Sequence, residues 1–243
     1  MKNLQEDLAI ATKKLKPSFS CSFCNKAFVK ETTLLTHQCE GKRRSLQEKE
    51  QGVQIGLRAF QRFYEIVNRT SKIKTYEEFS SSPYYIAFVK FGRHMVEIRA
   101  IHPVKFINYL IKNNVRLDNW CQDKHYQTYL FELSKIEAAV DALERSIVEM
   151  QRAIDDNPDI KNGVADYFKL VHPNKICQQI ANGRVSPWVI FNCNTGIKFL
   201  ESLNEGQLAL IIDWINPDYW GTKLKQLNHD TEWVKSILEG SGL

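Results

Sequence analysis

Residues 122–156 read Gln-Asp-Lys-His-Tyr-Gln-Thr-Tyr-Leu-Phe-Glu-Leu-Ser-Lys-Ile-Glu-Ala-Ala-Val-Asp-Ala-Leu-Glu-Arg-Ser-Ile-Val-Glu-Met-Gln-Arg-Ala-Ile-Asp-Asp. Within them Tyr126, Leu130, Leu133, Ile136, Val140, Leu143, Ile147, Met150 and Ile154 recur at steps of three or four. A stripe of that period marks one face of an α-helix. The stretch therefore predicts a single long helix with an acidic outer face, stopped by Asn157-Pro158.

The same period extends outward on both sides. Leu46, Val53, Leu57, Phe60, Tyr64 and Val67 predict a helix over 45–68, with Gly52 and Gly56 weakening its first turns. Residues 76–98 are aromatic and mostly helical, with a new start at Ser81-Ser82-Pro83; Pro103 opens a further helix to about Asn113. Beyond 158, starts are predicted at Asn174, Ser186, Asn204, Pro217 and Asp230, with Gly183, Gly196, Gly206, Gly221 and Gly240 near the breaks. Asn204 with Gln207 fits a capping box. Leu4, Leu8, Ala11 and Leu15 suggest a short amphipathic helix ended by Pro17. The fold class is read as all-α.

The chain has 243 residues, 43% apolar and 25% charged, the composition of a folded protein able to bury a core without disulfides. No run of about 20 apolar residues could span a membrane, and the polar start Met1-Lys2-Asn3 lacks a secretory signal. An intracellular protein with no membrane partner is expected. Charge is unevenly placed. Residues 1–116 carry 21 Lys/Arg against 10 Asp/Glu, a net of +11, and residues 117–243 carry a net of −6. Such asymmetry points the first half at a polyanion; mutual attraction of the halves within one fold is the alternative.

Of six cysteines, Cys21, Cys24 and Cys39 fall within 19 residues, whereas Cys121, Cys177 and Cys193 are scattered and read as small core residues. Residues 21–39, Cys-Ser-Phe-Cys-Asn-Lys-Ala-Phe-Val-Lys-Glu-Thr-Thr-Leu-Leu-Thr-His-Gln-Cys, place Cys21 and Cys24 at a C-x2-C spacing and His37 twelve residues further on. This resembles the C2H2 zinc-finger family, with Phe28 and Leu34 at that family's two core positions. The segment has only those two side chains to bury, too little to offset its chain entropy. Metal binding supplies the difference, on the order of 10 kcal/mol in such peptides. Thiolates with one imidazole select tetrahedral Zn²⁺. The sequence departs from the family at the fourth ligand. Glu40, Gly41 and Lys42 stand where a His or Cys belongs, so the candidate is Cys39, two residues after His37. Residues i and i+2 of a helix face nearly opposite sides. The helix must therefore loosen at His37, with Gly41 placed to help the chain turn out. The alternative makes Cys39 a bystander.

The resemblance implies that Lys30, Thr33 and Thr36 face bases, with Lys26 in the knuckle; one finger covers only about 3 bp. Lys42-Arg43-Arg44 would clamp phosphate. Protein docking or a structural staple are the finger's other possible uses. Residues 58–93 mix aromatics with cations, as single-strand binders do. Phe60, Tyr64, Phe88 and Phe91 fit a core at helical spacing, whereas Arg58, Arg62, Tyr84, Tyr85, Lys90 and Arg93 look exposed. Residues 174–192 outline a helix-turn-helix, but the second helix is almost wholly apolar, so Trp188 is read as a buried pair or a partner-binding pocket. No phosphate loop, dinucleotide fingerprint, nucleophile elbow or HExxH is present. Asp118, Asp123, His125 and Glu132 imitate a metal nuclease site.

These readings predict an N-terminal helix (1–16), a zinc finger (17–42), a helical domain (43–157) and a C-terminal bundle of short helices (158–243). The function expected is a zinc-binding, non-enzymatic accessory protein of transcription, replication or recombination. Its basic half would meet nucleic acid, DNA in preference to RNA, and its acidic half would dock a protein partner. In outline it is similar to small viral or phage accessory proteins. An adaptor stapled by its finger and a metal-dependent nuclease are the rivals.

Overall fold

The structure, a computed structural model, describes residues 19–68, 72–156 and 161–243. The helix read over residues 2–15 and the stop at Asn157-Pro158 lie outside them. The described residues form fifteen α-helices and one two-stranded sheet, an all-α fold with a small β-hairpin. The chain divides into two compact units at Cys121–Gln122 rather than near residue 157. Drawn there, the charge division is +10 against −5.

The first unit begins with the hairpin, β1 (Phe19–Ser20) and β2 (Ala27–Phe28), followed by α1 (Glu31–Thr36) and α2 (Glu40–Leu46). Its helical body is α3 (Gln51–Asn68), α4 (Tyr76–Ser80), α5 (Tyr85–Glu97) and α6 (Pro103–Lys112), ending in a 3-10 turn at Leu117–Asn119. The helix read over 45–68 is thus two helices.

Gly52 and Gly56, taken from sequence as weak points, instead let α3 and α5 cross closely. A Cβ on Gly56 would lie 2.7 Å from the Phe88 carbonyl oxygen, and one on Gly92 would overlap the Gly52 carbonyl oxygen. Around this crossing Phe60 packs edge-on to Phe88 (5.6 Å), and Phe88 and Phe91 pack on Trp120 at 5.7 and 5.1 Å. Phe60, Phe88 and Phe91 are buried, as their helical spacing predicts, and Trp120 with them, whereas Tyr64 of the same spacing is half-buried. Trp120 Nε1–H donates to the Val115 carbonyl at 2.9 Å, which satisfies the one polar atom this side chain brings inside.

In the second unit the single long helix is corrected. It is two helices, α7 (Asp123–Ile136) and α8 (Ala139–Asp155), broken where Glu137 and Ala138 turn extended (ψ 138° and 145°). The break carries the buried Glu137 carboxylate back onto Arg145, with Nη2 2.7 Å from Oε2, and Arg145 Nε–H donates to the Gly183 carbonyl at 2.9 Å. Ile136 and Val140, assigned to the buried stripe, are exposed on either side of the break. No Gly or Pro marks the site, so the apolar period runs through it unbroken.

The remainder is α9 (Tyr167–Leu170), α10 (Pro173–Ala181), α11 (Pro187–Ile190), α12 (Asn194–Glu201), α13 (Glu205–Ile211), α14 (Pro217–Gln226) and α15 (Asn228–Gly240). Ser186 caps α11, and the capping box of Asn204 with Gln207 is formed. Gly183 is the one predicted break with a left-handed backbone (φ 66°). Gly196, Gly206 and Gly221 lie inside helices, a correction to the sequence reading.

The helix-turn-helix outline exists as α10 and α11, but α11 has four residues, all buried. Trp188 is 1% exposed, stacked edge-on to Trp220 at 5.9 Å, so it is core and not a partner contact. Beside it, buried Lys223 lies 4.7 Å from the Trp220 ring and donates to the Lys135 carbonyl at 2.8 Å. Burial pushes its ammonium below the ordinary lysine value.

Two substitutions test this packing. Trp188→Ala is expected to cost about 3–5 kcal/mol of stability, and Gly92→Ala about 3 kcal/mol or more because backbone meets backbone at the crossing. Both are read from the midpoint of urea unfolding of the whole chain.

Candidate metal centre

The hairpin brings the first two ligands together. β1 and β2 pair antiparallel with Phe19 opposite Phe28. Between them the Cys21 amide donates to the Lys26 carbonyl at 2.9 Å and the Asn25 amide to the Cys21 carbonyl at 2.8 Å. Asn25 takes the left-handed conformation this tight knuckle needs (φ 56°), which asparagine tolerates better than most residues.

α1 then delivers His37 at its C-cap, with the imidazole 4.8 Å from the Phe28 ring. The helix ends at Thr36; His37 (ψ 127°) and Cys39 (φ −120°, ψ 165°) are extended. That is how a residue two after His37 reaches the same centre.

Cys21 Sγ lies 3.8 Å from Cys39 Sγ, and Cys24 Sγ lies 3.3 Å from His37 Nε2. All four ligand atoms fall within 4.8 Å of one another, close enough to hold one metal ion. A tetrahedral ion with bonds to sulfur of about 2.3 Å separates two sulfurs by about 3.8 Å. The amide of Phe23, reinforced by that of Cys24, holds the Cys21 thiol below the ordinary cysteine value, whereas at Cys24 the Lys26 amide is outweighed by desolvation and by the Cys21 and Cys39 neighbours, which push that thiol above it.

Cys39 has a second task that sequence reading missed. Its sulfur is also the N-cap of α2, accepting from the Lys42 amide at 3.4 Å. Gly41 is corrected by the same observation: it is not a turn residue but lies in the first turn of α2. A Cβ there would stand 3.0 Å from the Phe23 carbonyl oxygen, so Gly41 lets the helix sit against the knuckle.

The remaining predicted residues fall into two groups. Lys26, Lys30, Thr33 and Thr36 are exposed on the finger. Lys42, Arg43 and Arg44 do not form a free clamp. Lys42 Nζ donates to the Leu35 and His37 carbonyls at 3.4 and 3.3 Å, closing the end of α1. Arg43 and Arg44 both pair with Glu40. Arg44 also donates to the Ser80 carbonyl and lies 4.3 Å from the Tyr85 ring, while Tyr76 OH donates to the Arg44 carbonyl at 2.5 Å. These contacts tie α2 to α4 and α5.

Tyr84 is exposed but Tyr85 is buried, a correction to its reading as a surface aromatic. Arg58 is exposed; Arg62 is held by Asn108 (2.6 Å) and Glu65 (2.7 Å). Lys90 is exposed, and Arg93 makes a bidentate pair with Glu50, both bonds 2.7 Å.

The structure brings Arg43, Arg44, Tyr85, Lys90 and Arg93 to one groove of about 660 Å³ between α2 and α5. Sequence reading missed its further members Gln47, Ile86, Val89 and His94, and its acidic members Glu40 and Glu97. Their signal was present, since 86, 89, 90, 93, 94 and 97 share a helical face, as do 40, 43, 44 and 47.

Among the described residues the Cys21 cluster is the one group of three or more His, Cys, Asp or Glu side chains close enough to hold a metal. Asp118, Asp123, His125 and Glu132 form no such group. No helix among the described residues is long and apolar enough to cross a membrane. No family model matches the chain, and no curated protein or solved structure is similar to it.

If the cluster staples this region, chelation at neutral pH is expected to raise amide hydrogen exchange across residues 19–46 by an order of magnitude or more, leaving α7–α15 unchanged. Mass spectrometry of peptide fragments reads this directly. Cys39→Ala is expected to deprotect α2 as well as the ligand loop, whereas Cys24→Ala chiefly deprotects the knuckle.

Proposed function

We propose that the chain is a zinc-binding, non-enzymatic accessory protein that associates with nucleic acid through its first unit. Three thiolates with one imidazole form a soft donor set that prefers tetrahedral Zn²⁺ over hard cations. The observation that carries the nucleic-acid reading is the finger surface. Lys26, Lys30, Thr33 and Thr36 are exposed and free of ion pairs among the described residues, on a unit whose net charge is +10. A basic unit of this kind gains affinity for phosphates by releasing counterions. One finger reads few bases, so binding of modest sequence preference is proposed, with DNA in preference to RNA. The acidic second unit is proposed to dock a protein partner in a larger assembly of transcription, replication or recombination.

A second reading has an observation of its own. Cys39 both stands within metal-binding distance of Cys21, Cys24 and His37 and caps α2, and Lys42 and Arg44 are engaged by the fold. That supports a finger acting as a structural staple for an adaptor protein.

Titration of fluorescent duplex DNA with zinc-loaded protein across a salt series separates the two. The nucleic-acid reading predicts a linear fall of log affinity with log salt, and a slope smaller by about 2 for Lys26→Glu with Lys30→Glu. No binding at low salt would favour the staple.

A further inference from the structure

We propose that the groove between α2 and α5 receives a single strand of nucleic acid, so that the first unit binds unpaired strands there and duplex, if at all, through the finger. The proposal rests on the nucleic-acid reading above and specifies the form of the ligand.

The groove is built from one face of each helix. α5 supplies Ile86, Val89, Lys90, Arg93, His94 and Glu97, and α2 supplies Glu40, Arg43, Arg44 and Gln47. From 86 to 97 the α5 wall runs about 16 Å at 1.5 Å per residue. Its exposed apolar surface is Ile86, 68% exposed, with Val89 buried one turn further on. The Arg44 guanidinium lies 4.3 Å from the Tyr85 ring centroid and its side chain is 15% exposed at the groove wall.

The rim is cationic. The Arg43 side chain is 63% exposed and that of Arg93 48%. Lys90 is exposed and makes no ion pair among the described residues. Glu40 answers Arg43 and Arg44 together, Glu50 answers Arg93 and Glu97 lies at the end of the α5 wall, so four cations meet three carboxylates.

Two features favour an unpaired strand over a duplex at this place. Proteins read duplex DNA by inserting a convex element, a helix or a β-ribbon, into a groove of the nucleic acid. Here the protein is the concave partner. A duplex also presents charged phosphates outward and keeps its bases stacked inside, which would leave Ile86 uncovered against water. A single strand offers both parts: bases to cover Ile86, and phosphates for Lys90 and for Arg43 and Arg93 in exchange with Glu40 and Glu50. The volume, about 660 Å³, lies in the range of built ligand sites.

The test uses the zinc-loaded full chain and fluorescence anisotropy at low salt, with labelled oligo-dT of about 15 nucleotides and a duplex of equal length. Ile86→Asn with Lys90→Glu changes two exposed side chains, and Arg43→Glu is a second, independent variant. Far-ultraviolet circular dichroism checks that each is folded. The expected result is single-strand affinity falling tenfold or more in both groove variants, with duplex affinity changed by less than twofold. Lys26→Glu with Lys30→Glu is expected to do the reverse. Single-strand binding unaffected by folded groove variants would overturn the proposal. Duplex binding without single-strand binding would also overturn it while leaving the finger reading intact, and binding of neither would overturn both.

Discussion

The sulfur of Cys39 has to satisfy two structures at once. It stands 3.8 Å from Cys21 Sγ in the ligand cluster and accepts the Lys42 amide as the cap of α2. A conventional spacing after His37 would keep the second pair of ligands on one helix and leave the finger a bead on a string. The short spacing ends α1 at Thr36, and a new helix starts on the ligand itself. The geometry of the metal centre is thereby transmitted into the direction of α2. Arg44, Tyr76 and Ser80 then hold α2 on α4, while Gly41 allows its first turn to lie on Phe23. A Cys/His cluster attached in this way is part of the first unit, not an appendage to it.

The cationic residues owe their roles to the same attachment. In sequence, Lys42-Arg43-Arg44 is a basic run beside a finger, and such runs usually lie free on the surface. In the structure α2 sorts the three. Lys42 turns back to cap the carbonyls of α1, Arg44 is drawn over Tyr85, and Arg43 stays outward. The close α3–α5 crossing at Gly52, Gly56 and Gly92 sets where α5 lies, and so where Lys90 and Arg93 face α2. Placement rather than the count of charges makes a groove, because exposed pairs with Glu40 and Glu50 contribute little stability of their own.

Much of this was legible in the sequence where the signal is local. The all-α class followed from apolar spacing, and the gathering of Cys21, Cys24, His37 and Cys39 within metal-binding distance followed from cysteine and histidine spacing. The caps at Ser186 and Asn204 also carried their own side-chain signature. What stayed hidden depends on contacts distant in sequence. The α7–α8 break is dictated by Glu137 reaching Arg145, and neither residue type is a breaker. Gly52 and Gly56 look like helix weaknesses until Gly92 is opposite them. Tyr85 reads as a surface aromatic, since nothing local says that Arg44 will cover it, and the choice between a buried pair and a partner pocket at Trp188 is decided only by Trp220.

The central claim is that Cys21, Cys24, His37 and Cys39 hold one zinc ion between them. X-ray absorption at the zinc edge of the purified full chain tests it most directly. The account predicts one zinc per chain bound by three sulfurs at about 2.3 Å and one nitrogen at about 2.0 Å. It also predicts loss of one sulfur, replaced by a lighter atom, in Cys39→Ala. A shell of two sulfurs in the unaltered protein, or a shell unchanged by that substitution, would contradict it.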